Sequence, residues 1–167
     1  GVIQYILDAV AKNGQINVLP TGCMTQERVG ENLAPIGSLK QAGVVAITDS
    51  PSSPQNNEIM RRTLEYAGMF DLLILDQCRD RSLTEGAAMH EGPTSLRLGL
   101  PGSPRVAEDL LVSRATLLSS LTGSRVHLQS ISSGSAVEII RKAKSRGVKV
   151  SAEVTPHHLT LVDEAMS

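Results

Sequence analysis

Hydrophobic residues in this chain occur in short runs, separated by longer stretches in which apolar positions recur with the period of a helix. The short runs predict strands at residues 16–20, 44–48, 72–75, 125–131 and 148–154. The longer stretches predict a helix that ends near Gly14 and helices at about 56–68 and 104–123. A capping box at 135–138 predicts the start of a further helix, which ends at residue 147. This alternation predicts parallel βαβ units.

The residues that follow the predicted strands help to choose between two architectures, a doubly wound sheet and a TIM barrel. No GxGxxG or P-loop motif follows the first strand, as a doubly wound nucleotide-binding protein would require. Polar residues instead end the later strands, at 48–50, 76–78, 129–131 and 155–158. In a barrel these ends meet at one mouth. We therefore predict an α/β fold of the TIM-type (β/α)8 class, with residues 1–167 forming one partial barrel of about five βα units.

Composition excludes several classes of partner. The formal net charge is -1, so electrostatic attraction to nucleic acid or to an anionic membrane is not expected. No run of 18 apolar residues occurs, which argues against a membrane span. Cys23 and Cys78 form no CxxC pair and are expected to be reduced thiols of a cytoplasmic protein. The Gly-rich connection at 82–102, which carries LGLPG, is interpreted as a structural loop.

Several longer motifs carry a family resemblance. They are NVLPTGCMT (17–25), LAPIGSLKQAGVVAITDS (33–50), CRDRSLTEGAAMHEG (78–92), LGLPGSP (98–104) and GSAVEIIRKAKSRGVKVSAEVTPHHLTLVDEA (134–165). In this combination the chain resembles the central part of bacterial dihydroorotases, which are metal-dependent amidohydrolases. The resemblance implies a (β/α)8 barrel that binds one or two zinc ions and interconverts N-carbamoyl-L-aspartate and dihydroorotate in de novo pyrimidine biosynthesis. It also implies that the family's HxH motif would precede Gly1 and its closing Asp would follow Ser167, so that this chain lacks the first and last strands.

Three metal-ligand positions of the family fall inside this chain, and none holds the family's residue. The ligand Asp of the TDD pattern falls on Ser50, the ligand His of His-Cys-Glu-Asp on Gln77, and the ligand His of HxQHxSS on Ser130. Zinc is held by imidazole, carboxylate or thiolate, and amides and hydroxyls are poor substitutes. The neighbouring Arg79 adds a cation that opposes a dication. We therefore expect no intact catalytic residue, metal site or cofactor site in this chain.

The remaining polar residues near the ends of the predicted strands are not expected to bind a metal ion directly. Asp49, Asp80, His157 and His158 are candidates to support metal ligands without touching a metal. Consecutive residues such as His157 and His158 diverge, which argues against a paired ligand role. His127 is expected to be a packed core histidine, and His90 a solvated loop residue. The Ser-rich segment at 132–135 lacks a GxSxG elbow and is better explained as a helix cap.

Three functional hypotheses remain open at this point. In the first, the chain is a catalytically degenerate dihydroorotase relative with a structural or regulatory role, as in metal-less homologues that support the assembly of aspartate transcarbamoylase. In the second, it is an active zinc-dependent dihydroorotase with unusual ligands. In the third, it is a different binding module on the same barrel. The unpaired edges of a partial sheet, expected at 16–20 and 148–154, also favour a homo-oligomer.

Overall fold

A computed structural model describes residues 1–166 of the chain. Its centre is a five-stranded sheet in which every paired strand is parallel. In order across the sheet, the strands are β1 (Thr21–Gly22), β2 (Ala46–Thr48), β3 (Leu73–Asp76), β6 (Val126–Leu128) and β7 (Val150–Ala152). A smaller parallel pair, β4 (Met89–His90) and β5 (Gly102–Ser103), lies outside it. The predicted α/β architecture with a parallel sheet is thereby confirmed.

Helices connect these strands. They are α1 (Val2–Asn13), α2 (Ile36–Gln41), α3 (Asn57–Gly68), α4 (Arg81–Thr84), α5 (Pro93–Leu98), α6 (Val106–Thr122), α7 (Gly134–Ser145) and α8 (Pro156–Thr160). Two short 3-10 helices occupy Gln26–Arg28 and Asp163–Met166. The long connection at 82–102 is therefore more ordered than predicted, because it contains α5 and both strands of the small sheet.

Side-chain caps account for the starts of the two amphipathic helices beside the central sheet. The Asn56 side chain accepts hydrogen bonds from the amides of Glu58 and Ile59, which fixes the start of α3. The Ser133 hydroxyl accepts from the amide of Ala136 at the start of α7. The capping box predicted at 135–138 is therefore wrong by two residues, since Ser133 caps this helix.

The hydrophobic core lies between the sheet and α3, α6 and α7. Ile74 and Val126 on adjacent strands are fully buried, as are Met60 and Leu64 of α3 and Val112 of α6. On β3 and β6 the buried residues alternate with partly exposed ones. One face of the sheet therefore packs on helices, while the other face carries the partly exposed side chains.

The first predicted strand is displaced. Residues 16–20 were expected to be a strand, but Ile16 is 76% exposed and Leu19 is 69% exposed. Pro20 is the first residue to reach the sheet, where its carbonyl accepts from the amide of Val45. The strand follows at Thr21–Gly22, paired with Ala46 and Ile47. The apolar run was misleading because its side chains lie outside the core, while the less apolar TG pair forms the ladder.

Candidate functional site

The carboxyl ends of β2, β3 and β6 lie side by side at one edge of the sheet. Thr48 pairs with Leu75, and Asp76 pairs with Leu128, so the residues that follow each strand emerge at neighbouring places. There the Ser50 hydroxyl donates a hydrogen bond to Gln77 Oε1 at 3.2 Å. Two of the three positions that resemblance assigned to metal ligands are thus in direct contact, and both carry neutral side chains.

Ser130, the third of these positions, follows β6 at the same edge. The preceding amide, that of Gln129, donates to the Asp76 carbonyl at 2.9 Å, so the ladder continues up to this residue. Ser130 itself has φ 56°, in the left-handed region that few non-glycine residues adopt. Ser130 therefore forms a local irregularity of the backbone, after which the Ile131 amide still donates to the Glu153 carbonyl at 2.9 Å.

Asp49 is buried and serves as an anchor between two loops. Its Oδ1 accepts from the amides of Met24 and Thr25 at 2.8 and 3.2 Å, and its Oδ2 accepts from the Thr25 hydroxyl at 2.5 Å. Both carboxylate oxygens are therefore engaged by the segment after β1. This carboxylate ties the loops after β1 and β2 together beside the strand ends.

A buried charged network lies behind the strand ends, on the helix side of the sheet. Arg114 of α6 donates to the Pro54 carbonyl at 2.6 Å and to Ser53 Oγ at 2.9 Å, and its Nη2 lies 3.7 Å from Asp76 Oδ2. Cys78 Sγ lies 3.5 Å from the same Asp76 oxygen. Sequence reasoning missed Arg114, although a charged residue within the apolar face of a helix was a visible signal.

Burial dominates the electrostatics of this network. It raises the pKa of the Asp76 carboxyl, and the Arg114 guanidinium only partly offsets this effect. Burial and the nearby Asp76 carboxylate also raise the pKa of the Cys78 thiol well above its usual value. Cys78 is therefore a protonated and unreactive thiol at neutral pH.

Asp80 and Arg79 act locally at α4. The Asp80 carboxylate caps this short helix by accepting from the Leu83 amide and the Ser82 hydroxyl. The Ser82 hydrogen bond is the main reason that the pKa of Asp80 lies below its ordinary value. The Arg79 guanidinium donates to the Thr84 carbonyl at 3.4 Å. Both side chains therefore have a role in holding α4.

The four histidines are dispersed. His127 lies on β6, where Nδ1 contacts Ser151 Oγ at 2.8 Å and Nε2 contacts Glu153 Oε2 at 3.2 Å. The prediction that His127 is a packed core residue is wrong, because its ring lies on the partly exposed face of the sheet and bonds the next strand. His157 and His158 are exposed on α8, and His90 is exposed on β4.

The donor set at the strand ends does not fit a zinc ion. Ser50 and Gln77 present a hydroxyl and a carboxamide, and Ser130 adds another hydroxyl, whereas zinc sites are built from imidazole, carboxylate and thiolate. Across residues 1–166, no three His, Cys, Asp or Glu side chains are grouped so that they could hold a metal ion.

Within the same residues, no helix has the length and apolar character needed to cross a bilayer.

Comparison with known proteins gives consistent matches. A family described as dihydro-orotase-like matches residues 2–136. The dihydroorotase of Pelotomaculum thermopropionicum is 45% identical over 166 residues, which cover 99% of this chain and 39% of the relative. The dihydroorotase of Syntrophobacter fumaroxidans is 45% identical over 165 residues, with 99% and 38% covered. The chain thus spans 39% or 38% of the length of these relatives.

Solved structures support the same fold. L-hydantoinase from Arthrobacter aurescens superposes with a TM-score of 0.70 at 17% identity, covering 97% of this chain and 38% of that protein. A D-hydantoinase gives a TM-score of 0.66 at 17% identity, with 98% and 38% covered. These likenesses show that the sheet is an arc of a TIM-type barrel. The family match extends over residues 2–136, more than half of the chain, and shows that this chain belongs to the dihydro-orotase-like family.

Proposed function

We propose that this chain is part of a cytoplasmic, dihydroorotase-related protein of de novo pyrimidine biosynthesis that has lost catalysis and acts as a structural or regulatory subunit. The hydrogen bond between Ser50 and Gln77 carries the proposal. Two positions that would hold zinc in the family satisfy each other as neutral hydrogen-bonding groups. Neutral oxygen donors are poor substitutes for carboxylate and imidazole in binding zinc.

The retained scaffold supports the same proposal. Asp49 holds two loops together, and the Arg114 network holds α6 to the loop after β2. These interactions stabilise the barrel edge without requiring a metal ion. A protein that keeps such interactions while changing the metal-ligand positions is suited to assembly. Aspartate transcarbamoylase, or further copies of the same protein, is the proposed partner.

An active zinc-dependent dihydroorotase is the second candidate. Relatives at 45% identity bear the name dihydroorotase, which favours activity in the parent protein. This candidate requires that ligands other than Ser50, Gln77 and Ser130 hold the metal. The two candidates differ in whether the unmodified parent protein contains stoichiometric zinc and hydrolyses dihydroorotate.

The experiment compares the unmodified parent protein with the triple reversion Ser50→Asp, Gln77→His and Ser130→His. Zinc content is measured by elemental analysis after dialysis, and turnover is measured with dihydroorotate. We expect neither zinc nor turnover in the unmodified protein, and zinc only in the triple reversion, because several ligands must close on the ion together. The three single reversions are the controls and should bind no zinc.

Two results bear on the proposal in opposite directions. Stoichiometric zinc and turnover in the unmodified parent protein would refute it in favour of the active enzyme. A metal-free parent protein that co-elutes with aspartate transcarbamoylase in size-exclusion chromatography, or that elutes as a stable oligomer, would support the structural role. A metal-free parent protein that stays monomeric in both tests would contradict that role.

A further inference from the structure

A polar cleft of about 360 Å³ lies beside the strand ends, between the loops that follow β1, β2 and β3. Its volume is within the range of small-molecule binding sites. The residues that define its chemistry are Arg28, Glu31, Ser53, Gln55, Asn56 and Arg81. Ser50, Gln77 and Ser130 do not line the cleft, although it adjoins the edge that resemblance assigned to metal binding.

Hydrogen bonds between loops hold the walls of this cleft. The Gln55 carboxamide accepts from the Arg81 amide at 2.8 Å and donates to the carbonyls of Ser53 and Arg79 at 2.7 and 3.2 Å. The Arg28 guanidinium donates to the Ser50 carbonyl at 3.2 Å. These bonds join all three loops, so the cleft is formed before any ligand arrives. A preformed site loses less entropy on binding.

The charges lining the cleft favour an anion. Within residues 1–166 the Arg81 guanidinium makes no hydrogen bond or ion pair, and Arg28 donates only to a neutral carbonyl. No carboxylate of the described residues forms an ion pair with either cation, although Glu31 also lines the cleft. Guanidinium groups bind phosphate and carboxylate oxygens through paired, charge-assisted hydrogen bonds.

We propose that this cleft binds a small molecule through an oxyanion group, a phosphate or a carboxylate, held between Arg28 and Arg81. Gln55 and Asn56 add carboxamide groups that can hydrogen-bond the rest of the ligand. Glu31 selects against a second strongly anionic group nearby and favours a ligand with a hydrogen-bond donor. The site requires no metal ion and does not rest on the proposed function, because none of the three substituted side chains lines it and Ser50 contributes only its backbone carbonyl.

The test is calorimetric titration of the parent protein with inorganic phosphate in one arm and malonate in the other, at low chloride. The variants are Arg28→Gln, Arg81→Gln and Glu31→Gln, and the control is Arg146→Gln, an exposed arginine beyond α7. We expect Arg81→Gln to weaken binding about tenfold, as for the loss of one pair of charge-assisted hydrogen bonds. Glu31→Gln should tighten binding roughly threefold by removing a like charge.

The outcomes divide clearly. Tighter binding of phosphate assigns a phosphorylated ligand, and tighter binding of malonate assigns a carboxylate ligand; both support the site. Absence of binding in both arms overturns it. Binding that Arg146→Gln weakens as much as Arg81→Gln also overturns it, since the effect is then one of net charge. Thermal melting of each variant tests whether a loss of binding comes from a loss of folding. Arg81→Gln is the more informative variant, because it leaves intact the hydrogen bond from Arg28 to the Ser50 carbonyl.

Discussion

Arg114 offers the sharpest test of how the edge of the sheet is held. Replacement of Arg114 by Met keeps a long, unbranched side chain within α6 and removes the charge. It removes the hydrogen bonds to the Pro54 carbonyl and to Ser53 Oγ, and it removes the cation 3.7 Å from Asp76. Asp76 Oδ1 already has no hydrogen-bond partner within the described chain, so its carboxylate would keep only the Ser53 hydroxyl and the weak Cys78 thiol donor.

The magnitude follows from these contacts. Removal of one member of a buried ion pair costs about 3–5 kcal/mol, because the other charge stays buried without compensation. The two hydrogen bonds from a charged donor contribute about 1.5–3 kcal/mol each when measured alone, but they overlap with that cost. We therefore expect Arg114→Met to lower the free energy of unfolding by about 4 kcal/mol at pH 7.

The assay is urea denaturation of the parent protein, followed by far-UV circular dichroism. The double variant Arg114→Met, Asp76→Asn should be more stable than the sum of the single effects predicts, by about 1–3 kcal/mol, because the carboxylate that lost its partner is then neutral. Arg97→Met, on the exposed side of α5, is the control and should leave the stability unchanged. A loss below about 1 kcal/mol for Arg114→Met, or strict additivity in the double variant, would refute this reasoning.

Three further predictions concern carboxylates. Because burial raises the pKa of Asp76, the native state holds that proton more tightly, so stability falls as pH rises from the ordinary carboxyl pKa to the raised one. Asp76→Asn should flatten this fall in urea denaturation at several pH values, and an unchanged profile would contradict it. The pKa of Asp80 is lowered, so its contribution is present above the ordinary carboxyl pKa and lost as pH falls; Asp80→Asn should reduce that acid loss. Asp49→Ala should lower the free energy of unfolding by about 3 kcal/mol, because the buried amides of Met24 and Thr25 lose their acceptor. Thr25→Val keeps that acceptor and should lower the free energy of unfolding by less. Equal losses in the two variants would show that the amides find other acceptors.

Local patterns predicted most of the sheet correctly. The apolar runs at 44–48 and 72–75 contain β2 and most of β3, because buried parallel strands need continuous apolar residues. The helix predicted from about residue 56 begins at Asn57, where the Asn56 cap is a local signal. The first strand was misplaced because Thr21–Gly22 has no apolar signature and is defined only by its pairing with β2.

The site could be predicted only in part for a related reason. The order of the strands placed Ser50 and Gln77 at one edge, and their hydrogen bond agrees with that placement. The contacts between Arg114 and Ser53, and between Gln55 and Arg81, join residues far apart along the chain, and no local pattern marks them. The ring of His127 also depends on its neighbour in the sheet, since Ser151 and Glu153 on or beside β7 provide its partners.

The order of the strands has a consequence for how the chain folds. β1, β2 and β3 pair with neighbours in sequence, so this half of the sheet can form while later residues are still being synthesised. β3 can pair with β6 only later, because the segment that carries α4, α5 and the small β4–β5 sheet lies between them in the sequence. Closure of that longer loop costs more entropy and favours slower pairing. Gln77 and Ser130 lie beside the pairing of β3 with β6. During synthesis on the ribosome, this pairing is therefore expected to form after the β1–β2 and β2–β3 pairings.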